Sequence, residues 1–106
     1  MVFKAAVTFI YNPNNVPQGR QPLSRFEDYL AFHKLPFSRV ESRHAHSRTP
    51  FADETLVECT FRIEREIDHE SSACYLSMII QGEAGLMKLN PYVLSVNVDL
   101  LDQVHS

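Results

Sequence analysis

The chain has 106 residues, of which 44% are hydrophobic and 22% charged, and its formal net charge at pH 7 is -3. This composition is that of one folded domain over residues 1–106, and it excludes a disordered chain. A weakly acidic chain without an apolar run of roughly 18 residues is not expected to bind nucleic acid or to cross a membrane. The N-terminus lacks a signal-peptide pattern, so a cytoplasmic location is expected.

The N-terminal segment alternates between apolar and mixed positions, which predicts a strand over residues 2–11 with one buried side. The apolar positions on that side are the odd-numbered ones: Phe3, Ala5, Val7, Phe9 and Tyr11. Residues 12–22 then combine turn formers with three prolines, which stop the strand and predict a long surface loop.

A helix is predicted to begin at Ser24, because Ser24 and Glu27 have the spacing of a capping box. Pro36 ends this element, since proline cannot continue a helix. One helical face collects four side chains: Phe26, Tyr29, Leu30 and His33. His33 is therefore expected to face inward with the aromatic residues.

The remainder of the chain contains two clear strand patterns and two less distinct segments. Residues 37–46 predict only a weak edge strand, whereas residues 55–67 alternate strictly and predict a long strand with a polar outer face. Residues 71–81 fit either a buried strand or a helix. Residues on the two sides of the chain alternate in character from Tyr92 to Leu100, directly after Pro91, and this pattern predicts the last strand.

Some of these residues occur in an arrangement found in a known family. The strand end at Tyr11-Asn12-Pro13, the proline-rich loop and the block Phe26-x-x-Tyr29-x-x-x-His33-x-Leu35-Pro36-Phe37 resemble the opening of EthD-like proteins, members of the dimeric α/β barrel superfamily. The later layout is similar too, with a Gly82-Glu83-Ala84-Gly85-Leu86 segment and an Asn90-Pro91-Tyr92 step. The family usually has a Pro-Gly turn before its second strand, and its absence here leaves the register of that strand open.

The resemblance implies that residues from Ser71 to Leu89 form a second helix, interrupted at Gly82 to Gly85. The fold would then be α+β, a ferredoxin-like β-α-β-β-α-β unit with a four-stranded antiparallel sheet. Two such units would close their sheets into a dimeric α/β barrel, so the resemblance also implies a homodimer.

His33 is the leading candidate for a catalytic residue, because an imidazole titrates near neutral pH and suits proton transfer. Tyr29 and Tyr11 are its predicted hydrogen-bond partners. The resemblance implies cofactor-independent acid–base chemistry on a small hydrophobic or aromatic compound, such as cyclisation, dehydration, isomerisation or oxygenation. An apolar cavity between the sheet and the helices would hold that compound. The alternative for His33 is a structural residue at a helix end.

A second function left open is a non-catalytic binding module that uses a basic edge strand from Arg39 to Arg48 for a protein or anionic partner. On a strand, His44 and His46 would point to the same side, as two metal ligands do. A third ligand would have to come from His33, Asp53 or His69, and no spacing selects one. No metal site and no cofactor are therefore predicted.

The chain has two cysteines, Cys59 and Cys74. With only two and no secretion signal, they are interpreted as small buried hydrophobic residues rather than as a disulfide.

Overall fold

The computed structural model of the protein describes residues 2–17, 19, 22–49 and 52–101, with the side chains of all of these except 44–49 and 52–54. The described part forms the following elements in chain order: β1 (Val2–Tyr11), a short 3₁₀ turn (Pro13–Asn15), α1 (Ser24–Phe32), β2 (Phe37–Thr49), β3 (Ala52–Glu66), α2 (Glu70–Met87) and β4 (Val93–Leu100). The predicted ferredoxin-like β-α-β-β-α-β order is confirmed.

The four strands of the described chain form one antiparallel sheet in the order β2-β3-β1-β4. β1 and β3 are central, with Val7 opposite both Phe61 and Val98. β2 lies at an edge, as predicted, and its register is set by Phe37 opposite Ile63. Closure of two such sheets into a barrel requires a second copy and stays a prediction.

Burial alternates along β1, and its odd-numbered residues face the helices. Phe9, Phe26 and Phe61 form the centre of this layer, with ring centroids 4.9 to 5.8 Å apart and edge-to-face geometry. All three side chains are fully buried. The space between the centre of the sheet and α1, where an apolar ligand cavity was expected, is thus filled by aromatic rings.

The start of α1 differs from the predicted capping box. Leu23 occupies the N-cap position without a side-chain cap, Ser24 is the first helical residue, and the Glu27 carboxylate accepts a hydrogen bond from Arg39 of β2. The Glu27 carboxylate is thus engaged by a charge-assisted bond from a neighbouring strand, a contact that forms only after folding.

The end of α1 is a Schellman turn. Leu35 N–H donates to Leu30 O at 2.9 Å and Lys34 N–H donates to Ala31 O at 3.0 Å. Leu30 and Leu35 are both buried, which supplies the apolar contact that accompanies this turn. Lys34 adopts a φ of 55°, a left-handed conformation that glycine adopts more readily.

The ambiguous segment after β3 is helical. α2 runs without interruption through Gly82 and Gly85, so the expected break there is wrong. Each interior glycine disfavours a helix by about 1 kcal/mol, but burial of Leu76, Ile80 and Met87 against the core outweighs this cost. Neither helix of the described chain is long and apolar enough to span a membrane.

The two cysteines occupy different environments and are not paired with each other. Cys59 is buried on β3, as expected, but Cys74 is exposed on α2, so its predicted burial is wrong. The alternation of β3 shows directly which of its residues face the core. The residues of α2 are apolar over most of the helix circumference, so their pattern does not distinguish the buried side from the exposed side.

Candidate functional site

The predicted catalytic pair is brought together at the end of α1. The rings of Tyr29 and His33 lie 4.5 Å apart at an angle of 58°. His33 is the C-cap residue of α1, and its N–H donates to Tyr29 O at 3.1 Å. The imidazole is half-buried and also contacts the ring of Phe32, which is largely exposed. His33 therefore lies at the surface edge of the helix layer rather than inside the core.

Tyr11, the third predicted site residue, lies in a different environment. It is buried on β1, and its pKa is raised by burial and by the carboxylate of Glu41 on β2. The pKa of Tyr29 is also raised by burial, but its charged and polar neighbours are Glu83 and Tyr75 on α2. The structure joins Tyr29 to His33, whereas Tyr11 lies on β1 and is influenced by the charges of Glu41 and Arg39 on β2.

A buried carboxylate close to Tyr29 was missed by sequence reasoning. Glu83 is the only charged residue between Ser71 and Met87, and its side chain is 6% exposed. Arg25 on α1 donates from Nε to Glu83 Oε1 at 3.0 Å, with its own side chain 70% exposed. A single acid in an otherwise uncharged apolar helix was the available signal, because such a residue is rarely buried without a partner.

A cleft of about 420 Å³ lies between the end of β3 and the first turns of α2, and Tyr29, His33 and Glu83 are not among the residues that line it. Its lining includes Arg65, Asp68, Ser71, Ser72, Tyr75 and Leu76. Arg65 Nη1 donates to the carbonyl oxygen of His33 at 3.4 Å, and Tyr75 is one of the groups near Tyr29 that raise the pKa of its phenol, after burial and Glu83. Two residues of the cleft wall thus contact or face the Tyr29–His33 pair.

A second cleft of about 400 Å³ lies on the sheet face opposite the helices. Lys4, Ser38, Arg62 and Glu64 contribute to its lining, and Lys4 Nζ forms an ion pair with Glu64 Oε1 at 3.2 Å. On the same face, the hydroxyls of Thr8 and Thr60 are 3.1 Å apart. This face is polar, in agreement with the polar outer face predicted for β3.

The basic edge strand is partly neutralised where it is described. The Arg39 guanidinium binds the carboxylates of Glu27 and Glu41 and lies 5.7 Å from the centre of the Phe61 ring. Burial alone would lower the pKa of Arg39, but its hydrogen bonds to Glu41 and Glu27 raise it overall. Arg39 is therefore a structural cation and not a free contact for an anionic partner.

The candidate metal ligands from the sequence are His33, His44, His46, Asp53 and His69. The side chains of His44, His46 and Asp53 lie outside the described residues. Among the side chains that are described, no group of three or more His, Cys, Asp or Glu residues could hold a metal ion.

Comparison with known proteins adds information on the fold alone. No family model matches the chain. No curated protein matches it. A solved amidase of the hydantoinase/carbamoylase family from Burkholderia multivorans is similar over 95% of this chain, with 11% identity and a TM-score of 0.50. The chain spans 27% of the length of that amidase.

A phage SAM lyase, solved in complex with S-methyl-5'-thioadenosine, is similar over 98% of this chain and 93% of its own, with 13% identity and a TM-score of 0.45. Sequence identity at this level supports no transfer of function from either protein. The resemblance to EthD-like proteins stays a prediction.

Proposed function

We propose that the chain is a small cofactor-independent enzyme that performs acid–base chemistry with His33 and Tyr29 beside the cleft between β3 and α2. The observation that carries the proposal is the contact between the Tyr29 and His33 rings, 4.5 Å apart, next to two residues of the cleft wall, Arg65 and Tyr75. A base, a hydrogen-bond donor and a concave site are the parts that proton transfer requires.

The two residues have complementary roles. The Tyr29 phenol is protonated at neutral pH, since its ordinary pKa is 10.0 and burial raises that pKa further, so it can donate a hydrogen bond to a substrate oxygen. A neutral His33 imidazole can accept a proton from the substrate and return it. The Schellman turn and the bond from Arg65 fix the backbone of His33 and limit the positions that its ring can take.

The cleft favours a substrate with both apolar and polar parts. Tyr75 and Leu76 offer an apolar wall and Ser71 and Ser72 offer hydroxyl groups, whereas the positive charge of Arg65 stands beside the carboxylates of Glu66 and Asp68. A small aromatic compound that carries a carbonyl group fits this lining better than a purely hydrophobic one. Tyr11 takes no part in this proposal, because its neighbours are Glu41 and Arg39.

The resemblance to dimeric α/β barrels adds a homodimer to the proposal, and the cytoplasmic location expected from the sequence is kept with it. In such a barrel the two open sheet faces would form the dimer. On the open sheet face, Lys4, Glu58, Arg62, Glu64 and Asp99 share one side of the sheet. Direct closure of two such faces would bury charges, which is costly unless each is paired.

A probe set of small aromatic ketones in D₂O tests the proposed chemistry. Saturation-transfer NMR identifies the compounds that bind, and deuterium incorporation next to their carbonyl group reports proton abstraction. We expect His33→Ala to slow this exchange by about 10²- to 10⁴-fold, with the melting temperature changed little. Phe32→Ala is the matched control, because Phe32 contacts the same imidazole but lies at the surface.

Equal exchange rates for His33→Ala and the wild type would contradict the proposed role of His33. Failure of every probe to bind at the cleft, followed by the amide signals of Ser71, Ser72 and Tyr75, would contradict the proposed site.

A further inference from the structure

β2 and β3 extend beyond the rest of the sheet as a two-stranded ribbon, formed by residues 44–49 and 52–56. β1 ends opposite Val57, so residues 52–56 of β3 pair only with β2 in the part of the chain that the structure describes. Two strands without further partners are marginally stable in water, and interactions between side chains on the same face are what stabilise them. The chemistry of the ribbon therefore depends on which residues share a face.

The register brings three residues of metal-binding type to one face of the ribbon. His46 pairs with Glu54, and His44 pairs with Leu56. Residues two apart in a strand share a face, and so do residues that pair across two strands, so His44, His46 and Glu54 all occupy positions on one face. Spacing along the sequence selected no third ligand for the two histidines, whereas the register supplies one.

The other candidate ligands lie at unsuitable positions. Asp53 occupies the opposite face of the ribbon, because it is adjacent to Glu54 in the strand. The carbonyl oxygen of His33 accepts a hydrogen bond from Arg65, which lies eleven residues beyond Glu54 on β3, roughly 36 Å away at the rise of a strand. His69 precedes α2, beyond that same end of β3. Neither of these two histidines can reach the ribbon.

Glu54 is also better placed than Glu58, the next acidic residue on this face of β3. Glu54 is directly opposite His46 and diagonal to His44, whereas Glu58 pairs with Ser42 and is diagonal to His44 alone. Opposite and diagonal positions in a sheet are about 4.5–5.5 Å and about 7–8 Å apart. Two imidazoles and a carboxylate at such separations can converge on one ion with metal–ligand bonds of about 2.0–2.2 Å.

We propose that His44, His46 and Glu54 bind one Zn²⁺ ion that joins the two strands of the ribbon. Two neutral imidazoles and one carboxylate are a donor set of zinc sites that keep a fourth position for water. Arg43 pairs with Val57 and so occupies the opposite face, which keeps its positive charge away from the ion. The proposed acid–base chemistry belongs to the other end of β3, so this inference does not rest on it.

Isothermal titration calorimetry of the full-length, tag-free and metal-depleted protein with ZnCl₂ tests the inference. We expect one Zn²⁺ per chain. His46→Ala and Glu54→Gln should each weaken binding by at least about 10-fold, because loss of an outer-shell partner alone costs about 10- to 100-fold. His69→Ala and Asp53→Asn are the matched controls, one for each residue type, and both should bind zinc as the wild type does.

A gain of affinity tests the register directly and does not depend on the loss-of-binding variants. Leu56→His adds an imidazole opposite His44 on the same face and completes four protein ligands, as in structural zinc sites. It should tighten binding by at least about 10-fold, since a direct ligand contributes no less than an outer-shell partner. Thr55→His is the matched control, because Thr55 pairs with Ala45 on the opposite face. Tighter binding by this control and not by Leu56→His would exclude the proposed face.

The loss-of-binding variants provide further outcomes that would overturn the inference. A wild type that binds no zinc at millimolar ZnCl₂ would show that the ribbon is not a metal site. Weakening by Asp53→Asn or His69→Ala equal to that of Glu54→Gln would place the ion elsewhere on the chain. Stronger weakening by Glu58→Gln than by Glu54→Gln would exclude Glu54 as the third ligand.

Discussion

Arg25 Nε lies 3.0 Å from Oε1 of Glu83, and this ion pair joins α1 to α2 across 58 positions of sequence. The carboxylate is buried whereas the guanidinium is largely exposed. The pair is therefore asymmetric: the loss of Arg25 leaves a charge stranded in the helix interface, and the loss of Glu83 leaves a cation in water.

This asymmetry predicts different effects for the two partners. We expect Arg25→Ala to lower the free energy of unfolding by about 1–3 kcal/mol, the cost of an unsatisfied buried acceptor. Glu83→Leu should be neutral or stabilising, because a buried carboxylate is replaced by an apolar group of similar size. Urea unfolding measures both variants.

The double variant Arg25→Ala/Glu83→Leu is the control for this pair. It should be as stable as Glu83→Leu alone, since Arg25 would then have no buried charge to satisfy. If the loss of stability caused by Arg25→Ala persists in the double variant, the arginine acts through its packing and not through Glu83.

The left-handed backbone at Lys34 predicts a stabilising substitution. Glycine reaches a φ of 55° without the steric cost that a side chain imposes. We expect Lys34→Gly to raise the free energy of unfolding by about 1 kcal/mol. Lys34→Ala is the matched control and should have almost no effect, because alanine keeps the same strain. Equal stabilities for the glycine and alanine variants would argue against strain at this position.

The raised pKa of Tyr11 predicts weaker folding at alkaline pH. In the folded chain the phenol stays protonated above its ordinary pKa of 10.0, whereas in the unfolded chain it ionises at that pH. Its contribution to stability is complete below pH 10 and is lost as the pH rises through the folded-state pKa. The free energy of unfolding should therefore fall above about pH 10, and Tyr11→Phe should reduce this fall.

Urea unfolding at a series of pH values measures the effect. Below pH 9 the wild type and Tyr11→Phe should show the same dependence on pH, which serves as the internal control. An identical loss of stability for both proteins above pH 10 would contradict the role assigned to Tyr11.

The two thiols should react at different rates. Burial is the main cause that raises the pKa of Cys59, and the same burial blocks access to its sulfur, whereas Cys74 is exposed. Iodoacetamide should modify one thiol per folded chain and two in urea, as counted by mass spectrometry. Cys74→Ser should remain unmodified until it is unfolded, and rapid labelling of this folded variant would contradict the burial of Cys59.

The aromatic centre predicts the largest loss of stability from a single substitution. Phe61 contacts the rings of Phe9, Phe26 and Phe37, and we expect Phe61→Ala to cost about 3–5 kcal/mol. Phe32→Ala removes the same number of atoms from a side chain that is 79% exposed and should change stability by less than about 0.5 kcal/mol. Similar losses for both variants in urea unfolding would contradict the assignment of the core.

Patterns that depend on neighbours in sequence were predictable without the structure. The alternation of β1 and β3 identified which residues are buried, because side chains of a strand point alternately to its two faces. Phe26 and Leu30 on α1 were identified in the same way from helical spacing. Tyr29 and His33 are one helical turn apart, so their contact also follows from local geometry.

Relationships between distant segments were decided by the tertiary structure alone. The segment at α2 fits both a helix and a strand by period, and its packing on the core selects the helix. The partner of Glu83, the binding of Glu27 by Arg39 and the separation of Tyr11 from Tyr29 depend on which elements become neighbours in the folded chain. The sequence by itself thus determined the faces of β1 and β3 and the buried positions Phe26 and Leu30 of α1, because local periodicity specifies them, whereas the inward position predicted for His33 at the helix end was wrong. The pairing of charges and the exposed face of α2 required the packed fold, because contacts between segments far apart in sequence leave no periodic signal.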